Sequence, residues 1–321
     1  APDLAESWRI SDDGKSYIFD IRRDAYFHNG RLLTAHDVEY SFERALSPDS
    51  GSRRKWLFEP IAGARAYMDG TADDVSGITV LDDFTLRIEL ERPLAVFLQF
   101  LAMPNAYVTP REEVERWGGD FSDHATGSGP FQLQEWRHDE RLSLVRNDRY
   151  FGEPANVERI EYRILPEDFT RVAEFESDNL DILEIPAAEY ARLSADPVRQ
   201  AQMKERIGLN TYYLGFNCRK APMDDVSFRR AVSKAIDRKK IVEVILQGRA
   251  RVAEGPIPPE LPGHSPSAAA PGYNPAKARL ELASNEEQRP LKLYQSADQR
   301  TLEISEAIQY YLKKAGLEVE I

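Results

Sequence analysis

The stretch that most constrains the fold lies at residues 291–321. "LKLYQS" (291–296) reads as a strand, and "TLEISEAIQYYLKKAG" (301–316) places Ile304, Ile308, Leu312 and Ala315 at helical spacing before a stop at Gly316. "LEVEI" (317–321) reads as a second strand. Strand, helix and strand in that order form a crossover, which lays its two strands parallel in one sheet. The chain is therefore expected to contain α/β architecture.

The rest of the chain supplies more of both element types. "KSYIFDIRR" (15–23) sets Tyr17, Phe19 and Ile21 against Ser16, Ile18 and Asp20, the period-2 pattern of a strand. "TAHDVEYSFERAL" predicts a helix with Thr34 as N-cap and Asp37 in its first turn. "SGITVLDDFTLRIEL" (76–90) predicts a hairpin turning at Asp82-Asp83, and "AVFLQFLAM" (95–103) a short buried helix. Four strand-like runs follow, "FQLQEW", "LSLVRN", "IEYRIL" and "LDILEIP", with a helical stretch around 168–178 among them. "LNTYYLGFN" (209–217) predicts another strand. Behind it comes a helix pair whose N-caps are Asp225 and Asp237 and whose stop is Gly248. A loop rich in proline and alanine covers 255–273 and suits a surface.

Composition excludes several classes. At 321 residues, roughly two or three domains are expected. A net charge of −12 argues against a nucleic-acid partner, which needs a basic stripe; "SRRKW" and "DRKK" are short and read as solvated faces. No apolar run approaches the ~20 residues needed to cross a bilayer. The one cysteine, Cys218, permits no internal disulfide and reads as a buried filler. The opening "APDLAESW" has neither signal peptide nor initiator methionine, and Ile321 ends on an unfinished strand, so both ends are expected to be cuts.

Catalytic signatures are missing as well. His28, His36, His124, His138 and His264 are scattered, with no H-x-H, H-E-x-x-H or Cys/His cluster for zinc. There is no G-x-S-x-G elbow, P-loop or dinucleotide fingerprint. The expectation is a protein that is not an enzyme, needs no cofactor and binds neither metal nor nucleotide directly.

"ATGSGPFQLQEW" (125–136) crowds Gly127, Gly129 and Pro130 into a joint directly before a strand. Glycine permits positive φ and proline withholds a donor, so an ordinary turn and a crossing between two lobes both fit. "LAESWRISDDGKSYIFDIRRDAYFHNGRLLTAHDVEYSFERAL" resembles the signature of family 5 extracellular solute-binding proteins, the peptide-, dipeptide- and nickel-binding components of ABC importers. The resemblance continues through "GITVLDDFTLRIEL", "GSGPFQLQEW", "LVRNDRYF" and "YYLGFNCRKAPMDDVSFRRAVSKAIDR" to "YNPAKARLELA". Ser128 replaces a usual threonine and His36 a common glutamate.

The resemblance implies an α/β, type II periplasmic binding protein-like fold, two-lobed, with an extra mostly-β domain, incomplete here. It implies residues 1–124 as that extra domain, 125–215 as part of lobe one and 216–321 as the start of lobe two. Gly127 and Gly129 are then the crossing, with at least one in a backbone geometry that alanine tolerates poorly. The implied function is capture of a small peptide or other small solute by hinge closure, with delivery to membrane permease subunits. The implied location is the periplasm, or the cell exterior as an anchored lipoprotein. Two rivals are a ligand-sensing module of a cytoplasmic transcriptional regulator, which reuses this fold, and an enzyme.

Site residues follow from the strand pattern at 211–217. Tyr212, Leu214 and Phe216 share one face, suited to core; Tyr213, Gly215 and Asn217 share the other and are expected to face ligand. Glu184 near a strand end and Trp56 in a loop are further candidates. With both ends cut, the chain is expected to fold but to bind weakly, leaving a sheet edge exposed.

Overall fold

The computed structural model describes residues 3–265, 270–283, 290–296 and 298–321. The chain divides into two compact units, Ala1–Arg171 and Val172–Ile321. The boundary falls inside the helix Asp168–Glu176, away from the expected borders after 124 and 215.

The first unit holds two antiparallel sheets. Strands β1 (Ala5–Ile10), β2 (Ser16–Ile21), β3 (Ile78–Asp82) and β4 (Thr85–Glu89) form one, in the order β1-β2-β4-β3. Along β2 the pattern works as its spacing predicts: Tyr17, Phe19 and Ile21 are buried and the residues between are not. The hairpin is present, but Asp82 pairs with Thr85, so its turn is Asp83-Phe84, one residue later than expected. Helix Ala35–Leu46 buries Val38, Phe42 and Leu46 in the cluster that contains Phe19, Leu86 and Ile88. Each such side chain stabilises the unit by roughly 1.5–3 kcal/mol.

The start of that helix is held by charge. The Asp37 carboxylate accepts from the Thr34 N–H at 2.9 Å and from its hydroxyl at 3.1 Å. Arg31 then bridges Asp37 at 2.6 Å and Glu112 of helix Arg111–Trp117 at 2.7 Å. By contrast, helix Phe97–Leu101 is shorter and less buried than expected: Phe97 is fully inside, while Leu98, Phe100 and Leu101 pack against the same core only partly covered.

The second sheet comprises β5 (Phe131–Arg137), β6 (Arg141–Arg146) and β7 (Arg159–Arg163), three of the four expected runs. The fourth, 180–186, forms no strand, and neither does 209–217. An alternating run becomes a strand only when another segment supplies its backbone partners, and no described segment does so here.

The joint before β5 also differs from expectation. Gly127 and Gly129 lie within the first unit, not between the units, and neither adopts left-handed φ. An added Cβ would meet only the His28 ring, at 3.8 Å, from Gly127, and nothing within 4 Å from Gly129. Alanine fits both positions because the chain turns there with ordinary negative-φ or extended backbone.

In the second unit, helix Val226–Ala235 is capped by Asp225, whose carboxylate accepts from Ser227 N–H at 2.8 Å. Its Phe228, Ala231, Val232 and Ala235 pack with Ala278 and Leu282 of helix Pro275–Ala283 and with Leu312 of helix Gln299–Lys314. The second helix of the expected pair begins at Asp237 but widens into a π-helical turn, Ile241–Ile245, with Leu246 N–H reaching Ile241 O. Gly248, at φ 74°, stops it as expected. The crossover is present: β8 (Leu291–Lys292) and β9 (Val319–Glu320) pair in parallel around helix Gln299–Lys314. The loop expected over 255–273 carries no helix or strand where described; residues 266–269 lie outside the described residues.

Candidate functional site

The second unit carries a broad, open cleft, walled by residues 180–185, 203–217, 246–260 and 290–296 and floored by helices Val226–Ala235 and Gln299–Lys314. The wall 204–215 is unusual in its main chain. Among the described residues it makes no backbone–backbone hydrogen bond, although its part from Leu209 onward alternates like a strand. Its tie to the neighbouring wall is a side-chain bond, Thr211 Oγ1 to Pro256 O at 3.2 Å.

Burial alternates along this wall from residue 213. Leu214 and Phe216 are half-buried against the unit's core, while Tyr213, Gly215 and Asn217 are exposed; all five border the cleft. Tyr213 is 85% exposed, with its ring 3.5 Å from where a Cβ on Gly215 would sit. Tyr212 departs from expectation: it is exposed too, because without a paired neighbour nothing holds strict alternation at that end. Asn217 Oδ1 accepts from Arg219 N–H at 3.2 Å, so that oxygen shapes the turn.

Glu184 is exposed and lies in the same cleft, beside Ile182, which is 88% exposed. Trp56 lies outside this unit. It belongs to the first unit, half-exposed and edge-on to Phe100 with ring centroids 5.2 Å apart. Cys218, expected buried, is exposed with its Sγ 3.6 Å from Phe216 O; the last inward residue of the wall is Phe216, two positions before it, and the chain turns at 218–220.

Other residues of the cleft carry no local sequence signal. Tyr294, 86% exposed, Ser296 and Arg300 gather where the chain leaves β8 for its helix. The crossover itself was the signal, since α/β sheets collect ligands beyond the carboxyl ends of their parallel strands. Tyr190 donates to Glu205 on the cleft wall, and that bond holds its phenol above the ordinary 10. Below the cleft, Lys234 pairs with Glu281 at 2.6 Å and joins two helices. Among the described residues, no group of three or more His, Cys, Asp or Glu could hold a metal ion, and no helix is long and apolar enough to cross a membrane. The arrangement offers exposed aromatic rings, a free main chain and side-chain donors and acceptors, which suit non-covalent capture.

Over residues 1–321 the chain matches the family model described as bacterial extracellular solute-binding proteins, family 5 Middle. It is 31% identical over 296 residues to heme-binding protein A of Haemophilus influenzae, covering 88% of this chain and 53% of that protein. It is 29% identical over 341 residues to the dipeptide-binding protein of Escherichia coli, covering 100% and 62% respectively. The solved structure of the murein tripeptide binding protein MppA of Escherichia coli matches with a TM-score of 0.82 at 26% identity, over 99% of this chain and 65% of that one. The fold is thus of the type II periplasmic binding protein kind, and the chain spans less than two thirds of the length of these relatives.

Proposed function

The chain belongs to the bacterial extracellular solute-binding proteins of family 5, and from that premise we propose that it captures a small peptide-like solute for an ABC importer. Capture proceeds by hinge closure of two lobes, and the loaded protein is delivered to permease subunits in the membrane. Its place of work is the periplasm or the outer face of a membrane to which it is lipid-anchored. Its role is binding, with no chemical step, as the names of its relatives are those of binding proteins.

The observation that carries this reading is the main chain of 204–215 along a cleft wall, which makes no backbone–backbone hydrogen bond among the described residues. An extended peptide binds such an edge by strand addition, with main-chain hydrogen bonds for affinity and pockets for alternate side chains. Tyr213 and Asn217 contribute flanking contacts, Gly215 leaves room for the ligand backbone, and Glu184 offers a carboxylate to a ligand ammonium. Gln295 adds a buried Oε1 that has no hydrogen-bond partner among the described residues, an acceptor suited to a ligand N–H.

Calorimetric titration with di-, tri- and tetrapeptides tests the proposal. Tyr213→Ala and Asn217→Ala are each expected to weaken binding by about 5- to 30-fold, the size of one or two hydrogen-bond contributions. Unchanged affinity in both variants places the pocket elsewhere. A chain that ignores every peptide but takes up heme or a nickel chelate overturns the ligand class.

A further inference from the structure

Within the first unit, the crossing from one sheet to the other runs through Gly127–Pro130, and two side chains hold it, His28 and Asn147. Both ring nitrogens are engaged. Gly127 N–H donates to Nδ1 at 3.3 Å, and Nε2 lies 3.0 Å from the Gly129 carbonyl. A backbone N–H can only donate and a carbonyl can only accept, so these two contacts select the neutral ring with its proton on Nε2. Three more bonds secure the same segment. His28 N–H donates to Gly127 O at 2.8 Å, Asn147 Nδ2 to Gly129 O at 2.9 Å, and Asn147 N–H to Pro130 O at 2.9 Å.

Among the described residues, a second proton on this ring has no acceptor. It would sit on Nδ1 and face the Gly127 N–H, donor against donor, so that bond breaks or the ring turns and loses both. The charged groups on the neighbouring elements are committed elsewhere. Glu112 binds Arg31 and Asn29, Glu113 takes the Trp117 indole N–H, and Asp123 pairs with His138. Asp148 pairs with Arg146, and Arg149 stands over Tyr26. None compensates an imidazolium at His28.

We propose that His28 is a pH-operated latch on this crossing, closed while the ring is neutral and released when it is protonated.

The direction follows from linkage. Burial, outweighing the opposite pull of the Gly129 carbonyl, holds the latched ring's pKa below its usual 6.5. The latched state therefore binds fewer protons than the released one. Its stability is full above 6.5 and is lost as pH falls from there through the lowered value.

Proton NMR of the wild-type ring and amide exchange at Gly127, from about pH 7.5 to about pH 5, test the latch. The ring is expected to titrate below 6.5. Gly127 exchange, corrected for the intrinsic pH dependence, is expected to rise about fivefold on the acid side, the factor set by losing one ordinary hydrogen bond. His28→Gln retains one acceptor and one donor but has no proton to gain, so its Gly127 exchange should not rise. A ring that titrates at or above 6.5 overturns the proposal. So does Gly127 exchange that stays flat while the ring protonates, or the same acid rise in His28→Gln. Should that variant fail to fold, the wild-type titration and exchange decide alone.

Discussion

Gly77→Ala is expected to destabilise the first unit by about 2–4 kcal/mol, whereas Gly129→Ala is expected to change stability by less than about 1 kcal/mol. Gly77 sits just before β3, where three backbone segments converge. Its N–H donates to Ala62 O at 2.9 Å, its carbonyl accepts from Glu89 N–H at 2.7 Å, and Ala62 N–H donates to Glu89 O at 2.8 Å. A Cβ added at Gly77 would lie 2.7 Å from Ala62 O, 2.7 Å from Glu89 O and 2.8 Å from Ala62 N. All three are backbone atoms, so no side chain can rotate away. Relief requires moving the segments apart, which stretches two or three hydrogen bonds worth about 1 kcal/mol each, with added packing loss. For a unit of this size that is roughly 5–15 °C in Tm.

At Gly129 an added Cβ meets nothing within 4 Å, and the main effect of alanine there is to reduce the freedom of the unfolded chain. Urea unfolding followed by tryptophan fluorescence reads the comparison cleanly. The four tryptophans, Trp8, Trp56, Trp117 and Trp136, all belong to the first unit. If Gly77→Ala unfolds within about 0.5 kcal/mol of wild type, or Gly129→Ala loses as much as Gly77→Ala, the steric reasoning is refuted.

Three further outcomes follow from the first unit's ion pairs and from Cys218. Arg31, followed by lesser contributions, holds the Glu112 carboxyl at about 2 rather than 4.5, so the pair's contribution is full above 4.5 and is lost as pH falls from 4.5 toward 2. Because Glu112 is half in solvent, that acid-side loss should stay below about 1 kcal/mol, and acid titration of stability in Arg31→Gln should lack it. Arg31→Ala also leaves the buried Asp37 carboxylate with its Thr34 bonds but without its cation, and should cost about 1–3 kcal/mol in denaturant unfolding at neutral pH. Cys218 should react with a thiol reagent stoichiometrically in the native protein; labelling only after denaturation would contradict its exposure.

The comparison of Gly77 with Gly127 and Gly129 shows how far local sequence could be read. A Gly-Ser-Gly-Pro run looks like a strained joint, yet its backbone is ordinary and its hold comes from His28 and Asn147, residues remote in sequence. Gly77 looks unremarkable, yet Ala62 and Glu89 close around it. The same division applies to the cleft. The burial of Leu214 and Phe216 against the exposure of Tyr213, Gly215 and Asn217 was legible from a period of two. That Tyr212 turns outward, that Trp56 belongs to the other unit and that Tyr294 and Arg300 join the wall were not.

What the sequence by itself determined is therefore what depends on neighbours a few positions away: the buried alternation of β2, the helix at Ala35–Leu46 with Asp37 at its start, the aspartate caps, the glycine stops and the terminal crossover. Side-chain spacing and local backbone bonds carry those, and both are written within one short window. What only the tertiary structure decided is which strand-like runs find partners, which glycine has no room for a Cβ, and which polar atoms His28 meets. A strand needs a second backbone and a close approach needs a second surface. Both are supplied by segments far away in the chain, so no local window contains them.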